Sequence, residues 1–470
     1  LVVIGAGPAG LTAAWENSLH GGTATILERD ELVGGIARTV EHEGYRFDIG
    51  GHRFFTKVRE VEELWHSMLD EDFVRVPRQS RILYRRKLFS YPLKPIEAFF
   101  GLGPVESVRC GLSFLAANLK PRLPEEDFET WVSNRFGKRL FSIFFKTYTE
   151  KVWGVPCTQI RADWAAQRIR GLSLWKAVWH AVKPDRSVKT LIDAFDYPRL
   201  GPGQMWETFQ RKLEAKGSRV RLRRPVTRIT WEPGRGVTGV ETDGPNGPEL
   251  HTGDAVVSSM PLSELVLALD PPPPPEVLEA AAKLRYRDFI LVAVMFEGDR
   301  FFPDNWVYVH SPEVRIGRVQ NFNNWSAAMV PRPGVTCLGL EYFCFQKDPI
   351  WTMPDEELIE LGRREIVQTG LVGPEARTID GAVVRMPKTY PMYDPGYGEN
   401  VEIVRRFLET SLPNLLQVGR NGMHRYNNQD HAMVTGMYAV RNLYGAKHDL
   451  WAVNVDDEYH EETRQLRPGE

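Results

Sequence analysis

Cysteine is scarce in this chain: four in 470 residues, at Cys110, Cys157, Cys337 and Cys344. None forms a Cys-x-x-Cys pair, and none stands near a histidine at zinc-ligand spacing. A disulfide-stapled fold and a structural zinc site are therefore excluded. Reduced thiols in a cytoplasmic protein without a metal are expected. No run of 18 apolar residues occurs, so no transmembrane helix is expected. No secretory leader pattern precedes the first apolar run. An excess of one charge is lacking too: Lys plus Arg number 59 and Asp plus Glu 61, for a formal net charge of -2. That balance gives no global attraction to nucleic acid or to an anionic membrane, although local basic clusters can still hold a phosphate group. There is no internal repeat, and no low-complexity tract beyond five prolines at 271–275.

What is present is ordinary globular composition, 42% apolar and 26% charged, with length for two or three domains. Aromatic residues are plentiful, with 13 Trp, 15 Tyr and 23 Phe. They suit a large core and a pocket for a flat ligand. The chain opens on Leu1-Val2-Val3-Ile4, then Gly5-Ala6-Gly7-Pro8-Ala9-Gly10, then a helical apolar pattern over 11–19 and a second strand over 23–27 that ends at Glu28. Gly5 permits a tight turn. Gly7 lets the backbone approach a pyrophosphate, and Gly10 lets the helix pack close on the strand. The helix N-terminus turns free N–H groups and a positive dipole end toward that anion. Glu28, 18 residues after Gly10, can accept hydrogen bonds from a ribose.

Glu28-Arg29 leads on to Gly34-Gly35-Ile36-Ala37-Arg38. The glycine pair allows backbone approach to a phosphate, and Arg38 can pair with it. This arrangement resembles the extended FAD signature of the amine oxidase and protoporphyrinogen oxidase superfamily, which implies FAD rather than NAD. Further along, 40–48 alternates as a strand and ends in Asp48-Ile49-Gly50-Gly51-His52-Arg53-Phe54-Phe55-Thr56. A glycine pair before His52 and aromatics suggests backbone packed against a ring system. Helices are predicted over 58–69, 104–119, 128–153 and about 431–444. Short strands are predicted over 220–260 and at 415–419, and an antiparallel sheet over 285–345. The proline run reads as an extended spacer between domains. The expected fold is α/β: a Rossmann-like FAD-binding domain assembled from residues 1–75, 195–265 and 385–470. A helical substrate or lid region at 76–194 and an antiparallel-sheet substrate region at 266–384 are inserted between these pieces.

The run Gly137-Lys138-Arg139-Leu140-Phe141, continued by Phe144-Phe145-Lys146-Thr147-Tyr148-Thr149-Glu150-Lys151-Val152-Trp153-Gly154, resembles a segment of the UDP-galactopyranose mutases. Residues 50–56, 197–205 and 419–430 are similar to further segments of that family, and the likeness is scattered over most of the chain. It implies a non-redox use of reduced FAD, with NAD(P)H as a possible external reductant. In that family flavin N5 attacks the anomeric carbon of a nucleotide sugar, the nucleoside diphosphate leaves, and the ring recloses as a furanose. Position by position, the resemblance assigns the two diphosphate arginines to Arg168 or Arg170 and to Arg315. It puts Gly51, His52, Gly419, Arg420 and Asp430 beside the flavin. Trp153, Trp164, Tyr390, His424 and Tyr426 fall beside the substrate, with His52 and Tyr426 among the groups at the reacting centre. Phe55, His424 and Asn428 replace a histidine, a tyrosine and an acid of the family pattern, so galactose itself does not follow.

The FAD signature fits a second chemistry equally well. An oxidoreductase of the same superfamily would pass a hydride from substrate to flavin, with His52, His424 or His431 as a base. A partner-binding relative without flavin is a third possibility, which the intact glycines, Glu28 and Arg38 disfavour. In either enzymatic case the partner is a small molecule rather than a nucleic acid, and the protein is a monomer or homodimer.

Overall fold

A computed structural model describes residues 1–119, 124–162, 194–245, 247–299 and 301–454. Five strands form one wholly parallel sheet, in the order Leu415–Gln417, Val256–Ser258, Val2–Ile4, Thr25–Leu27 and Arg219–Arg221. They come from distant parts of the chain, as expected. Each is three residues long, and the middle ones are mostly apolar because helices cover both faces. Val3, Ile26 and Val257 face helices Pro8–Leu19, Gly203–Ala215 and Gln429–Leu443. Val2, Ile4 and Val256 alternate to the other face, against helices Leu262–Leu267, Pro275–Ala282 and Tyr397–Ser411. Two glycines set how closely the first helix packs. A Cβ on Gly10 would overlap the Gly5 carbonyl oxygen, and one on Gly436 would overlap that of Ala9.

A small sheet of strands Gly247–His251, Gly236–Gly244, Val226–Glu232 and Leu269–Asp270 adjoins this domain. The proline run leads from its last strand into helix Pro275–Ala282, and Leu269 and Val277 share one core. The run therefore joins two elements of a single unit instead of spacing two domains. Pro275 stands at the start of its helix, where no N–H is needed.

The large sheet has seven strands, in the order Thr378–Pro391, Tyr286–Glu297, Val335–Cys344, Arg318–Asn321, Trp306–Val309, Ser80–Tyr84 and Lys87–Ser90. Its pairings are antiparallel except that of Trp306–Val309 with Ser80–Tyr84. Ile290, Val292 and Val294 pack under helix Asp355–Thr369. Phe289, Leu291 and Ala293 alternate to the opposite face and meet Phe47, Tyr197 and Trp325. Two of the seven strands thus come from 80–90, a stretch whose pattern placed it with the helical region. Each is too short for its alternation to stand out, and the strand that joins their hairpin to the sheet lies more than 200 residues away. The helices beyond them are Pro95–Leu102, Pro104–Leu119, Phe128–Phe136, Lys138–Phe141 and Thr147–Trp153, with one π turn at Ser142–Lys146. Among the described residues no helix is long and apolar enough to cross a membrane.

The strand Tyr45–Asp48 carries a buried acid into the seam between the two large sheets. Asp48 accepts hydrogen bonds from the hydroxyls of Tyr197 and Thr39, the latter at 2.9 Å. Burial pushes its carboxyl up to about 7, against the pull of these two donors. The folded protein then holds a proton that the unfolded chain, titrating near 3.8, gives up. The contribution is complete below the unfolded value and is lost as pH rises through the folded one, at about 1.4 kcal/mol for each pH unit that separates the two. Asp48→Asn keeps the shape without the titration. Its melting temperature relative to wild type is expected to rise from pH 4 to about pH 7 and to level off above that. A gap that stays constant over that range would show that Asp48 titrates normally.

Candidate active site

The Gly-rich turn forms one pole of the site. Gly5 adopts φ 96°, and a side chain there would collide with Ser259. Gly7 begins the helix without a side-chain cap. A Cβ on Gly35 would sit 3.4 Å from Gly7 Cα, so the two glycines face each other across a gap kept open at both sides. Gly34, at φ 100°, donates to the Ala6 carbonyl at 2.8 Å and ties the second glycine pair to the first turn. Glu28 is buried. Its two carboxylate oxygens accept the N–H groups of Ala6 at 2.7 Å and Asp30 at 3.0 Å. Burial raises its pKa, and the two amides oppose that rise. Each oxygen keeps a lone pair for a further donor such as a ribose hydroxyl. Arg38 pairs with Asp30 at 2.7 Å, while its Nε is buried with no hydrogen-bond partner among the described residues. Gly419 packs on Ala9, at the first turn of the same helix, and its N–H donates to Thr435. An open cradle, an acid at ribose distance along the chain and a buried orphan donor fit a dinucleotide cofactor.

The second pole is a wall of guanidinium and aromatic groups on the inner face of the seven-stranded sheet. Strand register places Arg318 opposite Glu341 on one side and Tyr308 on the other. Arg318 donates to Glu341 at 2.7 Å, and Gln320 donates to the other Glu341 oxygen at 2.7 Å. Burial works against the Arg318 charge, yet Glu341 holds its pKa above the ordinary value. Arg53 lies 4.9 Å over the ring of Trp306, and Arg78 lies 5.7 Å over the same ring and 5.9 Å over Tyr91. Burial lowers Arg53 to about 10, and Arg78 and Arg318 add to the lowering. Tyr308 meets Tyr91 at 5.0 Å and Tyr148 at 5.5 Å, and Tyr148 stacks on His310 at 5.0 Å.

Between the poles stand His52, Arg420, Tyr390 and Tyr426. Burial and the guanidinium of Arg420 push His52 down to about 3, with Arg318 adding to the effect, so its ring is neutral at working pH. Its Nδ1 is 3.2 Å from the Gly50 carbonyl oxygen, which fixes Nδ1 as the donor and leaves Nε2 as an acceptor. Arg420 lies 4.7 Å over Tyr426 and 5.6 Å over Tyr390, and those two rings stack at 5.7 Å. Trp153 closes this end, 6.5 Å from Tyr426.

The long aromatic motif is held against this wall by two cations, the half-buried Lys151 and the buried Arg287. Lys151 donates to the carbonyls of Val309, Ser311 and Ile316 at 3.2, 2.7 and 3.0 Å. Arg287 donates to the carbonyls of Val152 and Phe343 at 3.0 and 2.9 Å, and so closes the end of helix Thr147–Trp153. Gly154, at φ 67°, leaves room for that guanidinium, since a Cβ there would overlap it. Here is the physical reason for the Lys-x-Trp-Gly pattern.

Among the sequence-predicted residues, Gly5, Gly7, Gly10, Glu28, Gly34, Gly35, Arg38 and Gly419 come together at the first pole. Gly51, His52, Arg420, Trp153, Tyr390 and Tyr426 come together near the second. Arg29 is instead exposed, 3.7 Å from Glu264. Asp430 is buried in the first turn of helix Gln429–Leu443. His424 is buried with Nε2 3.1 Å from the Met392 carbonyl oxygen and its ring edge-on to Tyr286, apart from the arginine wall. Arg315 precedes its strand with the side chain exposed, and its backbone N–H donates to Glu365 at 2.9 Å. The guanidinium that reaches the wall is that of Arg318, three residues later. Trp164, Arg168 and Arg170 lie outside the described residues. Sequence reasoning did not single out Arg53, Arg78, Tyr148, Tyr308, Arg318 or Glu341. Tyr148 lay inside the quoted motif, and Arg53 directly follows His52. The Arg318–Glu341 pairing depends on strand register and left no local signal.

A parallel-sheet dinucleotide cradle facing a polar aromatic wall on a second sheet is the architecture of a flavoprotein. Residues 8–385 match the family described as flavin containing amine oxidoreductase, and the chain belongs to that family, which implies FAD. A crystal structure of reduced UDP-galactopyranose mutase superposes with a TM-score of 0.84 at 22% identity, covering 97% of each chain. Putrescine oxidase bound to putrescine gives a TM-score of 0.60 at 15% identity, over 95% of this chain and 98% of that one. A fatty acid isomerase from P. acnes gives 0.59 at 17% identity, over 94% and 98%. These likenesses show the fold. Among the described residues no group of three or more His, Cys, Asp or Glu could hold a metal ion.

Two substitutions check the two poles. Gly10→Ala pushes the helix start off the turn, and flavin retained on purification is expected to fall about tenfold or more, equal to about 1.4 kcal/mol. Unchanged flavin content would remove the close-packing role given to Gly10. Arg318→Met strands the Glu341 charge and is expected to cost about 3–5 kcal/mol in denaturant unfolding, most of it recovered in Arg318→Met/Glu341→Leu. Additive losses in the double variant would deny the pairing.

Proposed function

We propose that the protein is a flavin-dependent nucleotide-sugar mutase that interconverts pyranose and furanose forms without net redox change. The observation that carries this reading is the convergence of Arg53, Arg78, Arg318 and Arg420 with Tyr148, Tyr308, Tyr390 and Tyr426 beside a neutral His52. Planar guanidiniums suit the oxygens of a diphosphate, which they can bind in pairs. A protonated amine would meet the same guanidiniums as repulsion, because both oxygens of Glu341 are already engaged.

FAD, bound in the Gly5–Gly10 cradle and in reduced form, supplies a nucleophilic ring nitrogen for the anomeric carbon. The chain does the rest. The arginines hold the diphosphate and stabilise the charge it gains on leaving. Arg168 and Arg170 are proposed to complete this grip. Burial keeps the hydroxyls of Tyr148 and Tyr390 above their ordinary pKa, so they stay protonated and act as donors to sugar or phosphate oxygens. His52 Nε2 can accept one sugar hydroxyl and orient it, while the stacked Tyr390 and Tyr426 wall the ring. The fold likeness to a reduced mutase over 97% of both chains supports the same reading. Family membership favours one alternative, an oxidoreductase that passes a hydride from substrate to flavin.

The test is anaerobic. The flavin-loaded protein is reduced, incubated with a panel of nucleotide sugars and followed by proton NMR beside an oxidised control. Isomerisation in the reduced sample alone, without net flavin oxidation, is expected. No isomerisation with any sugar, alongside rapid flavin reduction by an amine or porphyrinogen, would sink the mutase reading in favour of the oxidoreductase.

A further inference from the structure

Helices Pro95–Leu102 and Pro104–Leu119 form a hairpin whose outer face is strongly apolar. Phe99 and Phe100 are 50% and 75% exposed, and Val105, Val108, Leu112, Leu115 and Leu119 are 50–83% exposed. At 100° per residue the last five fall within an arc of about 80° on one side of their helix. The opposite side is satisfied within the protein. Ser107 and Cys110 are buried, Ser107 Oγ donates to the Phe99 carbonyl at 2.7 Å, and Ser113 Oγ accepts the Arg139 N–H at 3.0 Å. Seven large apolar side chains at these exposures leave much apolar surface open on one hairpin, where a soluble monomer shows patches of roughly a few hundred Å².

The charge around this patch has one sign. From 85 to 119 the chain carries Arg85, Arg86, Lys87, Lys94 and Arg109, and only two acids, Glu97 and Glu106. Both acids are spent locally. Glu97 accepts the N–H and hydroxyl of Ser90 at 2.8 and 2.6 Å, and Glu106 is bound by Arg139. All five are exposed, but Arg86 donates to the Gln368 carbonyl at 3.1 Å, which leaves Arg85, Lys87, Lys94 and Arg109 for this face. Lys87 reaches the Gly101 carbonyl at 2.9 Å, directly after Phe99 and Phe100, and Arg109, 3.9 Å from Glu106, falls about 40° from the apolar arc. The chain as a whole has a net charge of -2, so this basic rim is a local concentration.

We propose that this hairpin docks the enzyme on an anionic lipid bilayer, with Phe99, Phe100 and the helix stripe entering the interface and the basic rim meeting the headgroups. An apolar face edged by Lys and Arg is the pattern of helices that lie in a membrane surface, and a basic rim gains from a negative leaflet. Charge complementarity decides the occupant. A second copy would bring a like-charged rim against this one, whereas an anionic headgroup layer neutralises it. The patch also adjoins the candidate active site. Tyr91, 43% exposed, stands between strand Lys87–Ser90 and helix Pro95–Leu102, 5.0 Å from Tyr308, with Arg78 over its ring. The site would then open close to the lipid surface.

The experiment is flotation of the flavin-loaded protein with vesicles of phosphatidylcholine, alone or mixed with phosphatidylglycerol, at low and high salt. Wild type is expected to float with the anionic vesicles at low salt and to be released by high salt. Phe99→Ser/Phe100→Ser should lower the bound fraction about tenfold or more. Lys94→Glu/Arg109→Glu should do so while leaving flavin content and circular dichroism unchanged. Equal partitioning of wild type to neutral and anionic vesicles, or none to either, would overturn the proposal. Sedimentation velocity on the same samples supplies the competing outcome. A wild-type dimer that Leu112→Ser/Leu115→Ser converts to monomer would assign the face to a second copy instead.

Discussion

A guanidinium taken out of water needs acceptors fixed against it, and here strand register supplies a carboxylate. Arg318 and Glu341 stand opposite each other on neighbouring strands, with Tyr308 next in the same row. Gln320 occupies the next inward position and takes the second Glu341 oxygen. The loop bearing His52 and Arg53 rests on this row. A Cβ on Gly51 would stand 3.0 Å from Gln320 Nε2 and 3.4 Å from Trp325, so any larger residue would press the loop against this row. The positions of His52 and Arg53 therefore follow from the pairing of two strands far away in sequence.

The helical insert is fixed by the same kind of interaction. Lys151, half-buried, and Arg287, buried, are cations whose partners are mostly backbone carbonyls. Burial lowers Lys151 to about 8, and three carbonyls hold the ammonium in place. Contacts of this kind are directional where apolar packing is not, and they set both the height and the rotation of helix Thr147–Trp153. Tyr148 and Trp153 reach the site from opposite ends of that helix, so a rotation would misplace both.

How far the sequence could be read depended on distance along the chain. The cradle was legible because all its parts but Gly419 lie within the first 38 residues, and Gly5, Gly10 and Gly34 answer local needs that a Cβ would violate. The parallel strands were legible as short apolar runs, and the aromatic motif by its unusual composition. Arg29 shows the limit even at close range. It adjoins Glu28, yet strand alternation sends it outward while Glu28 turns in. The arginine wall was not legible. Arg315 and Arg318 sit three residues apart, and only the pairing with Val335–Cys344 decides which one faces the cofactor half. The strands at 80–90 were hidden for the same reason, since their partner at 306–309 gives no sign of them.

That pairing has a consequence for how such enzymes diversify. Ser80–Tyr84 and Lys87–Ser90 complete the edge of the sheet that carries the arginine wall, and the outer helices follow directly from them. The insert is thus not a cassette that can be exchanged whole while the chemistry behind it stays put. A relative that acquired different outer helices by recombination at this point would also acquire a new edge beside Trp306 and Tyr308. A change in this stretch of chain therefore alters the outer helices and the edge of the arginine wall together.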